Sequence, residues 1–154
     1  PAGLEAVWLF AMSGASASKF VVAHSDSHDI KIQREVAQLG AWVSLDGMGG
    51  RKTEEHVTQV KELIESQKLR DRLLLSMDSG WWNVGEPNGG KIRPYTYLID
   101  ELLPALRKAG VDDYFIRKVT VKNPAEAFGV DVLGDWCGTA YLERRARAGF
   151  SRGS

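Results

Sequence analysis

The chain has 154 residues, 44% of them hydrophobic, and its 20 basic and 20 acidic side chains cancel to a formal net charge of zero. That balance, without a basic stripe, argues against nucleic acid or an anionic membrane surface as a partner. No apolar run nears the roughly 20 residues that span a bilayer, and the single cysteine, Cys137, allows no internal disulfide, which fits a reducing, cytoplasmic setting.

Leu4–Ser13 (LEAVWLFAMS) is apolar almost all round and reads as a helix with a broad buried face, ended by the small residues of Gly14–Ser18. Lys19–Ala23 (KFVVA) reads as a short buried strand with His24 at its C-terminal end. Ile32, Val36 and Leu39 follow at helical spacing, and Gly40 takes the C-cap position. Ala41–Leu45 (AWVSL) is the next strand, ending in Asp46 and the turn Gly47–Gly50. Thr53 is placed to N-cap a helix from Glu54 to Gln67, with Val57, Val60, Leu63 and Ile64 facing inward.

Leu73–Trp82 (LLLSMDSGWW) is the stretch around which the rest is organised. Three leucines in a row suit a parallel strand covered on both faces. Asp78 comes where the apolar run stops, Gly80 turns the chain, and Trp81 and Trp82 can wall a pocket beside the carboxylate. The same placement also suits a turn-capping aspartate. Asn83–Arg93 is a long glycine-rich loop on the same side, of the kind that forms lids and binding loops. Tyr95–Ala109 reads as a helix kinked or restarted at Pro104. Asp112 is placed to cap a further helix, and Asn123-Pro124 to open a short one through Phe128. Beyond residue 130 the pattern fades, and the arginine-bearing tail 131–154 reads as solvated or disordered.

Alternating strands and helices predict α/β architecture with a parallel sheet. A closed (β/α)8 barrel takes about 250 residues, so three strands amount to part of a barrel or to a small open sheet. The C-terminal strand ends of such sheets are where ligands bind, and here they carry His24, Asp46 and Asp78. An imidazole and a carboxylate converging on one rim can hold a borderline divalent ion such as zinc, whose bound water ionises near neutral pH. A strand-end histidine hydrogen-bonded for structure alone accounts for His24 equally well. His28 reads as a cap or surface residue, His56 as a residue excluded from the apolar face of its helix, and Cys137 has no partner that spacing can place.

HSDSHD at His24, SLDGMGG at Ser44–Gly50, LLLSMDSGWW at Leu73 and LLPALRKAGVDDYFIRKVTVKNPAEAF at Leu102 together resemble the C-terminal half of a phosphotriesterase-like metallohydrolase of the amidohydrolase superfamily. The resemblance runs from about Ala2 to Val130 and implies barrel strands six to eight, in a (β/α)8 TIM barrel with a two-zinc centre. It implies His24 as a ligand of the more exposed metal, and Asp78 as a ligand of the buried metal and the acceptor of the nucleophile's proton. It implies Asp26 and Asp46 as residues that orient the ligands, and Gly80, Trp81, Trp82 and Arg93 as the substrate pocket. Organophosphate-degrading members carry an acid and a histidine where Ser27 and Gly47 stand, so a lactone or other ester suits the site at least as well as a phosphotriester. The family's earlier metal ligands have no counterpart here. The chain therefore reads as part of a barrel whose complete members act on small esters as homodimers. Two alternatives stay open: a TatD-like metal-dependent nuclease, and a non-catalytic βα module that binds a small ligand.

Overall fold

The computed structural model describes residues 2–129, so the expected tail and Cys137 lie outside the described residues. Three parallel strands, β1 (Val21–Val22), β2 (Trp42–Leu45) and β3 (Leu73–Leu75), form a sheet in the order β1-β2-β3. The register pairs Val22 with Val43, Val43 with Leu73, and Leu45 with Leu75. Those side chains share one face, because strand residues alternate sides. Val22, Val43, Leu45 and Leu73 join the core formed with the helices. Trp42 and Ser44 lie on the opposite face of β2 and are buried too, so no residue of this central strand is left in solvent. β1 is shorter than the expected KFVVA strand, since Ala17–Lys19 close a 3-10 turn instead. β3 stops at Leu75, but Ser76 donates to Leu45 O and accepts from Met48, so the ladder runs on toward Asp78.

The helices are α1 (Ala2–Met12), α2 (Ile30–Gln38), α3 (Thr53–Ile64), α4 (Gln67–Arg72), α5 (Leu103–Lys108), α6 (Asp113–Arg117) and α7 (Asn123–Phe128). They pack Val7, Val36, Val60, Leu63, Leu69, Leu106 and Phe115 against the sheet. α1 departs from expectation: Val7 is its one buried residue, and Trp8, Leu9 and Met12 are exposed. A sequence apolar on all sides does not say which side is covered. The helix expected to reach Gln67 ends at Ile64, and α4 is a separate element with Ser66 at its N-cap position, making no side-chain bond. Thr53 is not an N-cap; Lys52 occupies that position without a side-chain bond, and the Thr53 hydroxyl meets the Tyr97 hydroxyl at 2.9 Å.

Asp112 does cap α6, its Oδ1 accepting from the Phe115 N–H at 2.7 Å. The two prolines act alike. Leu98–Leu102 and Lys118–Lys122 are π-helical turns, closed by Leu103 N–H to Leu98 O and Asn123 N–H to Lys118 O, just before Pro104 and Pro124. Proline has no N–H for the carbonyl four residues back, and the widened turn absorbs the mismatch before α5 and α7 begin. Asn123 is buried and donates from Nδ2 to Arg70 O and Leu73 O, which ties the start of α7 to the start of β3.

Candidate active site

Parallel pairing brings the three strand ends to one rim, with β1 and β3 on either side of β2 and about 10 Å apart across the sheet. Among the described residues, His24, Asp78 and Asn88 are the non-glycine residues with left-handed backbone, at φ 52°, 44° and 54°. A left-handed L-residue costs about 1–2 kcal/mol, and such residues gather at functional sites. Two of the three are the strand-end histidine and aspartate that the sequence singled out.

The His24 side is built on carboxylates. Asp46, 8% exposed, accepts from the His24 N–H at 2.7 Å through Oδ2 and from the Ser44 hydroxyl at 2.5 Å through Oδ1. The same Oδ2 lies 3.6 Å from His24 Nδ1, while the imidazole is 71% exposed. Asp26, on the 3-10 turn Ser25–Ser27, accepts through Oδ2 from the Asp46 N–H at 2.8 Å and the Gly47 N–H at 3.2 Å. Asp26 Oδ1 is buried with no partner among the described residues. A Cβ at residue 47 would stand 3.2 Å from that oxygen, so glycine leaves the carboxylate its place. The Ser27 hydroxyl reaches only the His24 carbonyl, at 3.5 Å.

The Asp78 side is held through its main chain. The Asp78 carbonyl accepts from Arg93 Nη2 at 2.7 Å and from Trp81 Nε1 at 3.0 Å, and its carboxylate takes no hydrogen bond among the described residues. Arg93, expected in the substrate pocket, therefore fixes the backbone that aims Asp78. Trp81 and Trp82 are each 65% exposed. Gly80 has φ +97°, and a Cβ there would fall 1.8 Å from the Tyr95 hydroxyl oxygen. Tyr95 is exposed and can swing aside, but the backbone strain stays. Gly80→Ala is expected to lower stability by about 1 kcal/mol, read as a shift in the urea midpoint.

His24 and Asp78 follow strands of one sheet, and among the described residues no hydrogen bond or ion pair joins them. Among the described residues no group of three or more His, Cys, Asp or Glu side chains could hold a metal ion. The donors nonetheless fit part of a metal site. A ligating imidazole ordinarily has its second nitrogen facing a carboxylate, as His24 Nδ1 faces Asp46, and the Asp78 carboxylate is uncommitted.

Sequence reading missed the buried polar residues Ser25, Gln33, Ser44 and His56. The Ser25 hydroxyl donates to Val22 O, and Gln33 Nε2 donates to Ser25 O, which locks the turn after His24. His56 was expected outside the apolar face of α3 and is instead fully buried. The signal was present: His56, Val60 and Leu63 stand at i, i+4 and i+7, one stripe of a helix. A cleft of about 250 Å³ lined by His28, Asp29, Gln33 and Glu62 lies between α2 and α3. No helix among the described residues is long and apolar enough to cross a membrane.

The chain is 26% identical over 139 residues to a phosphotriesterase homology protein of Mycobacterium tuberculosis, covering 82% of this chain and 41% of the relative. A mutant organophosphorus hydrolase from Deinococcus radiodurans superposes with a TM-score of 0.70 at 28% identity, over 82% of this chain and 43% of that one. A mutant PTE-like lactonase from the same organism gives 0.66 at 26% identity, over 82% and 44%. This chain thus spans less than half the length of these relatives. The phosphotriesterase family model matches residues 1–128, and the chain belongs to that family.

Proposed function

We propose that residues 1–130 form the C-terminal part of a phosphotriesterase-like (β/α)8 barrel, with β1, β2 and β3 as its strands six, seven and eight. The complete protein, in this reading, is a homodimeric, cytoplasmic hydrolase with a two-zinc centre that cleaves small esters: lactones, carboxylesters or phosphotriesters. The observation that carries the reading is the pair of left-handed strand-end residues, His24 and Asp78, on one rim of a parallel sheet. The family match and the lactonase and organophosphorus hydrolase relatives support the substrate class.

His24 and Asp78 would hold the metal, which when bound supplies Lewis acidity and a water that ionises near pH 7. This chain's own residues do the rest. Asp46 orients the imidazole through its backbone N–H and Nδ1, and Asp26 in turn fixes the Asp46 backbone. Asp78 accepts a proton at its free carboxylate, while Arg93 keeps that carboxylate aimed. Trp81 and Trp82 offer apolar wall to an uncharged substrate. With serine at 27 and glycine at 47, no charged relay leads away from the rim through those positions, which favours lactones and carboxylesters over phosphotriesters.

Zinc content by mass spectrometry and lactone turnover, both on the 154-residue chain, test this. Two protein donors fall short of the usual four-coordinate site, so less than one zinc per chain and little turnover are expected. Stoichiometric zinc with robust turnover would overturn the partial-barrel reading.

A further inference from the structure

We propose that His56 is a positioning residue of the site: its imidazole latches the β2–α3 loop through two main-chain bonds and thereby steadies the ends of β2 and β3. His56 stands in the first turn of α3 with no exposed surface. Its Nε2 accepts from the Gly49 N–H at 3.2 Å and from the Arg51 N–H at 3.3 Å. One ring nitrogen that accepts twice carries no proton, so the proton is on Nδ1. That atom is buried with no hydrogen-bond partner among the described residues, so the hydrogen bonds the ring makes there go to the loop.

The loop joins both halves of the rim. It leaves from Asp46, the residue that holds the His24 N–H. Its Met48 N–H donates to Ser76 O on the continuation of β3. A Cβ at Gly50 would stand 3.2 Å from Arg93 Nη1, so the loop backbone packs on the guanidinium that grips the Asp78 carbonyl. Gly49 lies against the Tyr97 ring, which meets His56 edge-on with centroids 6.1 Å apart. The Tyr97 hydroxyl is tied to Thr53, so loop, ring and helix form one packed unit.

An imidazolium has no acceptor, and protonating Nε2 removes both bonds at once. The groups around the ring are Arg51 on the loop, Glu55 on α3, Asp26 on the turn after β1, and the Tyr97 hydroxyl. Burial first and Arg51 second hold the His56 pKa below its ordinary 6.5, against the opposite pull of Asp26 and Glu55. Below pH 6.5 the unfolded chain gains a proton that the native chain still refuses, so stability falls with falling pH in that window. The latch is whole above pH 6.5 and is lost as the pH drops through the depressed native value.

NMR on the 154-residue chain decides the matter, with ¹⁵N shifts of the His56 ring and hydrogen exchange of the Gly49 and Arg51 amides. The ring is expected to carry its proton on Nδ1 and to titrate below 6.5. As it titrates, both amides should lose protection together, on the order of tenfold once intrinsic exchange is corrected. His56→Gln keeps an acceptor and should hold protection flat with pH; His56→Leu should lose it at every pH. A proton on Nε2, amides indifferent to the ring's titration, or equal protection in the two variants would each overturn the latch. Should His56→Leu fail to fold, the native pH series still decides. The consequence for hydrolysis rests on the reading above, but these measurements need neither metal nor substrate, so each can fail without the other.

Discussion

Asp78→Asn is expected to lower kcat/KM for ester hydrolysis about 10²–10⁴-fold in the complete barrel, the range for loss of a positioned proton acceptor. The exchange is nearly isosteric; it removes the charge and turns one acceptor oxygen into a donor. Asparagine tolerates the left-handed backbone that Asp78 adopts at φ 44°. The Asp78 carbonyl, which Arg93 and Trp81 grip, is untouched by the change. Stability should therefore stay within about 0.5 kcal/mol, so steady-state kinetics paired with a urea unfolding curve separates chemistry from folding. Turnover within a few-fold of the unmodified enzyme would remove Asp78 from the mechanism.

Trp42→Ala carries the largest expected effect on stability, a loss of about 3–5 kcal/mol. Trp42 opens the central strand with no exposed surface, on the sheet face away from the main helix-packed core. Its Nε1 donates to Ser18 O at 3.0 Å, and the Arg72 guanidinium sits 4.6 Å above its ring. Its backbone N–H donates to Phe20 O, where β1 joins the sheet. A cavity there removes the ring from under Arg72 and loosens the two-residue strand that presents His24. Against a total stability of about 5–15 kcal/mol, such a loss leaves little margin, and urea denaturation followed by fluorescence would read it directly. Trp42→Phe keeps most of the volume and should cost about 1 kcal/mol for the lost hydrogen bond. Equal losses in the two variants would mean that the indole N–H, not the ring, holds this region.

The parts of the fold legible from residue order were those fixed by local rules. Largely apolar runs marked β2 and β3, because a strand covered on both faces has little room for polar side chains; Ser44, the exception in β2, spends its hydroxyl on Asp46. Asp112 announced its helix, since the capping bond is made three residues away in sequence. The strand-end His24, Asp46 and Asp78 stood out by placement. What could not be read is set by distant contacts. The Thr53 hydroxyl is claimed by Tyr97, 44 residues on, and so never caps α3. That Arg93 grips the Asp78 carbonyl, 15 residues back, is likewise visible only in the folded chain. α1 gave no directional signal, because with Trp8, Leu9 and Met12 beside Val7 every side is apolar. His56 differs: its register with Val60 and Leu63 places it on the buried stripe of α3, although a titratable side chain is more often found in solvent.

Left to optimise melting temperature alone, a sequence designer would place glycine at 24 and at 78, where the main chain bends in the sense that only glycine adopts freely. Both swaps would relax the backbone and, by that measure, toughen the protein. Each would also delete a polar side chain, the imidazole at one strand end or the carboxylate at another. In the proposed reading the two residues forgo that relaxation to keep an imidazole and a carboxylate at the strand ends, and the torsion angles record the choice.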